Sequence, residues 1–143
     1  MPGIVVGIDG SEAANGALAF ALEEAKLRQE PLRIVCAWEI PPIEYAGAAF
    51  VPTPDIATSA EALADDVLAR AAAALGPDHG VHIETASVHG HPATVLVEQA
   101  ADATLLVVGA RGHGALAELV LGSVSKAVVH HCHVPVAVVP APA

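Results

Sequence analysis

The residues from Val107 to Lys126, VVGARGHGALAELVLGSVSK, carry the most suggestive chemistry in the chain. An apolar, strand-like run ends at Gly109, and Gly112 follows three residues later. Gly122-Ser123 comes after a nine-residue gap and opens a new amphipathic stretch. Glycine lets the backbone take φ > 0 and places no Cβ between the main chain and an anion. A serine where a helix begins adds a hydroxyl to free N–H groups, and helix N-termini hold phosphates. The spacing predicts a phosphate-binding corner.

Such a corner must be positioned by a scaffold, and the rest of the chain supplies one. Four near-continuous apolar runs read as strands: Gly3–Asp9, Leu32–Trp38, Thr104–Ala110 and Val134–Val139. Runs without alternation suit parallel strands covered on both faces. His82–Val88 alternates, as an edge strand with one wetter face would. Between the strands lie helical patterns. Ser11 caps one that runs to about Gln29, and Ala57–Leu75 is a second, ended by Gly76-Pro77. Pro92 fits the first turn of a third that runs to about Ala101, and Ser123–His131 is a fourth. The order βαβαβαβαβ predicts one α/β domain over residues 1–143, an open five-stranded parallel sheet with helices on both faces. Glu39–Asp55, with four prolines, is expected as a long loop over one end of the sheet. Ligands in such sheets bind beyond the carboxyl ends of the strands, where strand order reverses. Asp9-Gly10-Ser11, Ala37-Trp38, Val88–Pro92 and the 109–114 loop all fall there.

Composition narrows the function classes. Hydrophobic residues make up 54% of the 143 but aromatics only 3%, so the core is expected to be Val, Leu, Ile and Ala. Six basic against sixteen acidic residues give a net charge of −10, which excludes the basic stripe of a nucleic-acid surface. Residues 104–143 carry only Arg111 and Lys126 against Glu118, so the stretch with the glycine corner alone escapes the surplus of negative charge. No apolar run approaches the ~20 residues of a membrane span, and the N-terminus does not read as a leader, so a cytoplasmic protein is expected. Cys36 and Cys132 are expected as reduced thiols there.

Two common phosphate motifs do not fit. Gly112–Ala117 satisfies G-x-G-x-x-A, but it follows the fourth strand and no acidic residue stands ~20 positions later to hold a ribose. Gly109 and Gly114 have P-loop spacing, yet Ala115-Leu116 stands where Lys and Ser/Thr are required. The pattern that fits is G-x2-G-x9-G-S at Gly109, Gly112, Gly122 and Ser123. It resembles the ATP-binding motif of the universal stress protein family. The resemblance extends to IVVGIDGS near the start, VHGHPA after the third strand, and the closing LGSVSKAVVHHCHVPVAVVP.

That resemblance implies a strand order of 3-2-1-4-5 and a set of roles. Asp9 would hydrogen-bond the ribose, Gly7 would give room beside it, and Ala37 would offer backbone groups to the adenine edge. Gly109, Arg111, Gly112, His113 and Gly114 would wrap the phosphates. Gly122, Ser123, Val124 and Ser125 would meet them from the helix side through backbone N–H groups and hydroxyls. The implied ligand is ATP or another adenine nucleotide, with or without Mg²⁺, in a stress-response module that hydrolyses slowly if at all. Phosphoryl transfer needs carboxylates for Mg²⁺ and a positioned nucleophile. Near the crevice only Asp9, Arg111 and serine hydroxyls can be named, so no catalytic residue is assigned.

Plainer roles compete at several positions. Asp9 with Ser11 is ordinary turn and cap chemistry, and Arg111 reads equally well as a solvated loop residue. His130–His133, HHCH, cannot all face one ion from a helix end, so no metal site is expected. His89 and His91 read as loop residues, and Trp38 as packing beneath the long loop rather than as a stacking platform. Val134–Val139 is the last strand and carries no charge to blunt an exposed edge. A symmetric homodimer through that strand is expected, as the family resemblance also implies. A homodimeric interaction module that binds no nucleotide is the competing function.

Overall fold

A computed structural model describes residues 3–40, 44–45, 48–49, 54–77, 80–110 and 121–141. Among them the chain forms β1 (Ile4–Gly7), α1 (Glu12–Arg28), β2 (Leu32–Trp38), β3 (Glu44–Tyr45) and β4 (Ala48–Ala49). It continues through α2 (Pro54–Leu75), β5 (Ile83–His89), α3 (Pro92–Gln99), β6 (Leu105–Gly109), α4 (Ser123–His131) and β7 (Val136–Val139). Five strands make one parallel sheet in the order β5-β2-β1-β6-β7. Counted along the chain without the short hairpin, that is the expected 3-2-1-4-5.

The apolar runs are continuous because both faces are covered. Ile4, Val6, Ile34, Cys36 and Val107 pack beneath α1 and α2, whereas Val5, Val35, Leu106 and Val108 pack beneath α3 and α4. Alternate residues of a strand point to opposite faces, so in β1, β2 and β6 both sets are apolar apart from the exposed Arg33. Helix α1 presents Ala14, Ala17, Ala21 and Ala25 to the sheet, all buried. These small side chains bring its axis close to β1 and β6. The Ser11 hydroxyl caps it, accepting the Ala14 amide at 3.2 Å. Its far end closes on Gln29 in the left-handed region, φ 56°, with the Glu30 amide donating to Ala25 carbonyl oxygen at 3.0 Å. Glycine is usual in this place, and here Gln29 takes it, at the end expected from the sequence.

The boundaries differ from expectation where backbone chemistry was not weighed. Helix α2 starts at Pro54, three residues before Ala57, because proline's fixed φ suits the first helical position. The segment expected as plain loop contains the β3–β4 hairpin, which pairs Glu44 with Ala49 and Tyr45 with Ala48. The final strand was expected from Val134 and begins at Val136. Pro135 has no N–H to give, yet its carbonyl accepts the Leu106 amide at 2.9 Å and starts the pairing. The two sheet edges are unlike. On β5, Glu84 is held by Arg33 at 3.1 Å and His82 at 3.3 Å, whereas β7 is VAVV. Among the described residues, no strand pairs with the outer side of β7. None of their helices is long and apolar enough to cross a membrane.

Candidate functional site

The topology makes a crevice at the carboxyl edge. After β1 the chain turns to α1 on one face, and after β6 it leads to α4 on the other, so neighbouring strands send their connections apart. Gly7, Asp9, Ala37, Gly109, Gly122, Ser123, Val124 and Ser125 all lie at this edge. Arg111, Gly112, His113 and Gly114 lie outside the described residues.

One carbonyl fixes the start of α4. The Gly122 amide donates to Ala110 carbonyl oxygen at 2.6 Å, and the Ser125 hydroxyl donates to the same oxygen at 2.8 Å. Ser125 is 2% exposed, so its hydroxyl is a strut rather than a ligand-facing group. The first intrahelical bond is from the Lys126 amide to Gly122 carbonyl oxygen at 3.0 Å. The amides of Ser123, Val124 and Ser125 therefore precede the helical ladder, and no acceptor among the described residues takes them. Three aligned donors at a helix N-terminus carry partial positive charge. This arrangement can hold an anion, with the exposed Ser123 hydroxyl beside it. Four amides were expected to serve, and the Gly122 amide is spent within the protein.

The strand-end glycines have a different physical cause from the one the sequence suggested. A Cβ on Gly109 would stand 2.9 Å from the backbone carbon and 3.0 Å from the carbonyl oxygen of Ala13. Glycine at this point lets the first turn of α1 lie against the end of β6. A Cβ on Gly7 would meet the Leu96 methyls at 2.6 and 2.7 Å. The room at Gly7 is thus filled by α3.

Asp9 sits in an Asx turn in which its Oδ1 accepts the Ser11 amide at 2.9 Å, with Gly10 at φ 85°. The carboxylate remains at the exposed mouth of the crevice. Its nearness is felt by Cys36, whose thiol is pushed up to about 11 by burial first, then by the charges of Asp9 and Asp65. A thiol held neutral in this way is a poor nucleophile near neutral pH. Ala37 lies one step beyond the last β1–β2 bond, from the Ile8 amide to Val35 carbonyl oxygen at 2.9 Å. Its carbonyl takes only the Cys36 thiol, at 3.9 Å, among the described residues. Main-chain polar groups are thus left at the gap between β1 and β2.

Sequence reasoning missed the Ala110 carbonyl and the close approach of Ala13, neither of which has a side-chain signature. It set Ala37-Trp38 and Val88–Pro92 at one edge but did not foresee that the Trp38 and His89 rings meet. The two are register partners on β2 and β5, with rings 4.6 Å between centroids and 39° between planes. At the opposite, amino edge a groove of about 870 Å³ is lined by Lys26, Glu30, Arg33, His82, Glu84 and Gln99 among others. Arg33 in its lining is already engaged by Glu84 at 3.1 Å and Gln99 at 3.2 Å, so this groove is not where the open donors are.

An open α/β sheet of this order with unpaired amides at a helix start by its switch point defines a class. Comparison with known proteins makes the assignment. The family model described as "Universal stress protein family" matches residues 2–140, and the chain belongs to that family. It is 37% identical over 139 residues to universal stress protein Rv2005c of Mycobacterium tuberculosis, covering 94% of this chain and 44% of that protein. The chain spans about half the length of the curated relatives it matches. Among solved structures it is similar to a universal stress protein in complex with cAMP, at 29% identity and TM-score 0.67, covering 99% and 98% of the two chains. It is also similar to a universal stress protein from Archaeoglobus fulgidus, at 26% identity and TM-score 0.72, covering 97% and 98%.

Proposed function

We propose that the chain binds ATP or another adenine nucleotide, with or without Mg²⁺, along this edge and acts as a stress-response regulatory module. The observation that carries the reading is the row of open amides at Ser123, Val124 and Ser125, fixed by the Ala110 carbonyl. These amides and the Ser123 hydroxyl meet the phosphates from the helix side, and the family resemblance assigns Arg111, Gly112, His113 and Gly114 to the same phosphates. Asp9 meets the ribose, and the Ala37 main chain meets the adenine edge. The relative crystallised with cAMP supports an adenine nucleotide over other anions. The residues assigned here bind and orient. Hydrolysis is slow if it occurs, because Asp9 is the one carboxylate assigned to the crevice. The module works in the cytoplasm as a homodimer, with two copies of β7 pairing antiparallel.

A second reading is a homodimeric interaction module without a nucleotide. It is favoured by the space beside Gly7 and Gly109 being filled by Leu96 and Ala13, and by the Asp9 carboxylate bonding Ser11. Equilibrium dialysis against ATP, paired with thermal unfolding, separates the two. A ligand at 100 times its Kd adds about 2.7 kcal/mol, so a clear rise in Tm at millimolar ATP is expected. An unchanged Tm with no retained ATP selects the second reading.

A further inference from the structure

We propose that Lys126 is a phosphate-binding residue outside the glycine motif, and that it favours a longer, more highly charged phosphate tail over a monophosphate. The inference rests on the nucleotide reading above and adds a residue to which that reading gives no role.

Charge pairing is the first support. Lys26 holds Glu23 at 3.5 Å, Arg28 holds Glu24 at 3.2 Å, Arg33 holds Glu84 at 3.1 Å and Arg70 holds Asp66 at 2.9 Å. Lys126 alone among the described lysines and arginines holds no carboxylate, in a chain with sixteen acidic residues. Its ammonium is left for an anion from outside the chain.

Its place on the helix is the second. Helix α1 complements its own dipole, with Glu12 in the first turn and Lys26 and Arg28 in the last. Helix α4 breaks that rule at its start. No acid stands in its first turn, and Lys126 is the residue whose amide opens the ladder to Gly122 carbonyl oxygen. A cation there is repelled by the positive end of the helix. An anion seated on the open amides of Ser123, Val124 and Ser125 removes the conflict, because lysine and helix then attract the same charge. Local rules broken in this way mark functional positions.

Reach is the third. Ser123 and Lys126 are both exposed and stand three residues apart, so they share the solvent side of the turn. Buried Ser125 is tied inward to the Ala110 carbonyl. Three residues of helix rise only ~4.5 Å, and helical Cα–Cβ bonds tilt toward the N-terminus. A four-carbon lysine stem is long enough to return its ammonium to the level of the open amides. The three amides supply donors but no full charge, which suffices for one phosphate group. Each further phosphate brings negative charge that a compact ammonium with three donors can meet.

Calorimetric titration of the full chain with ATP, AMP and inorganic tripolyphosphate tests this on wild type, Lys126→Met, Lys126→Arg and Lys126→Glu, alongside ligand-free thermal unfolding of each. Lys126→Met should weaken ATP and tripolyphosphate about fivefold while AMP stays within about twofold. Lys126→Arg keeps the charge and should hold ATP within about twofold of wild type. Lys126→Glu should weaken ATP further, yet melt about 2 °C higher than wild type without ligand, since a carboxylate suits the positive helix end. Opposite signs for binding and ligand-free stability are what a merely structural lysine would not produce. Equal loss for ATP and AMP in Lys126→Met would overturn the proposal, and so would a lower ligand-free Tm in Lys126→Glu. Failure of wild type to bind either nucleotide would overturn the nucleotide reading itself and this inference with it. Wild-type ATP binding that Lys126→Met leaves unchanged would overturn this inference alone.

Discussion

Substituting Gly109 with alanine separates two reasons for a glycine that the sequence cannot tell apart. If Gly109 only clears space for a phosphate, the ligand-free protein should not notice a methyl group. In the structure that methyl carbon would stand 2.9 Å from the backbone carbon of Ala13, and 3.0 Å from its carbonyl oxygen and its Cβ. Real Cβ atoms do not approach that closely, and the obstacle is backbone of a capped helix rather than a mobile side-chain tip. Helix α1 must tilt or β6 must move, and overpacking of this kind costs about 1–3 kcal/mol. For a chain of this length each kcal/mol lowers Tm by about 3 °C, so a fall of roughly 3–10 °C is expected without any ligand. Gly16→Ala is the internal control. Its Cβ would lie 3.7 Å from Val139 and 3.8 Å from the Pro140 carbonyl, ordinary contact distances, inside α1. Removing a mid-helix glycine should raise stability by up to about 1 kcal/mol. Thermal unfolding followed by circular dichroism reads both variants. A ligand-free Gly109→Ala protein that melts like wild type would refute the packing argument and return Gly109 to the ligand.

Other expectations follow from the same geometry. Ser125→Ala loses the strut to Ala110 but leaves that carbonyl bonded to Gly122, so melting should show a loss of about 1 kcal/mol. ATP affinity measured by dialysis should hardly change in that variant, because the amide and not the hydroxyl of residue 125 is assigned to the phosphates. Buried Cys36 should stay unmodified by a thiol reagent at pH 8 while half-exposed Cys132 reacts. Because the folded-state pKa of Cys36 is raised from 9.0 to about 11, stability should be intact below pH 9 and decline as pH climbs toward 11. The alkaline decline should be absent in Cys36→Ala. Val138→Lys places a charge on the bare edge of β7 and should convert a sedimenting dimer to monomer at micromolar concentration.

The sheet was legible because the interior strands are covered on both faces, which writes an unbroken apolar run into β1 and β6 and one broken only by exposed Arg33 into β2. Strand order came from family resemblance rather than periodicity. Helix ends were legible at Ser11, where a side chain marks the start, and near Gln29, whereas the start of α2 at Pro54 was read as loop. The site divides along the same line. Gly122-Ser123 announced a helix start, and the structure puts α4 there. Gly7 and Gly109 announced close approach, but a sequence cannot say whether a ligand or a helix does the approaching. The Ala110 carbonyl was invisible, since every residue has one. Trp38 and His89 are 51 positions apart, and only the β2–β5 register makes them neighbours.

Amide chemical shifts during an ATP titration bear most directly on the phosphate corner. The Ser123, Val124 and Ser125 N–H resonances should move far and saturate together, while Gly122, already bonded to Ala110, should move less. Resonances of all three that stay in place at saturating ATP would contradict the account, whatever else the nucleotide disturbed.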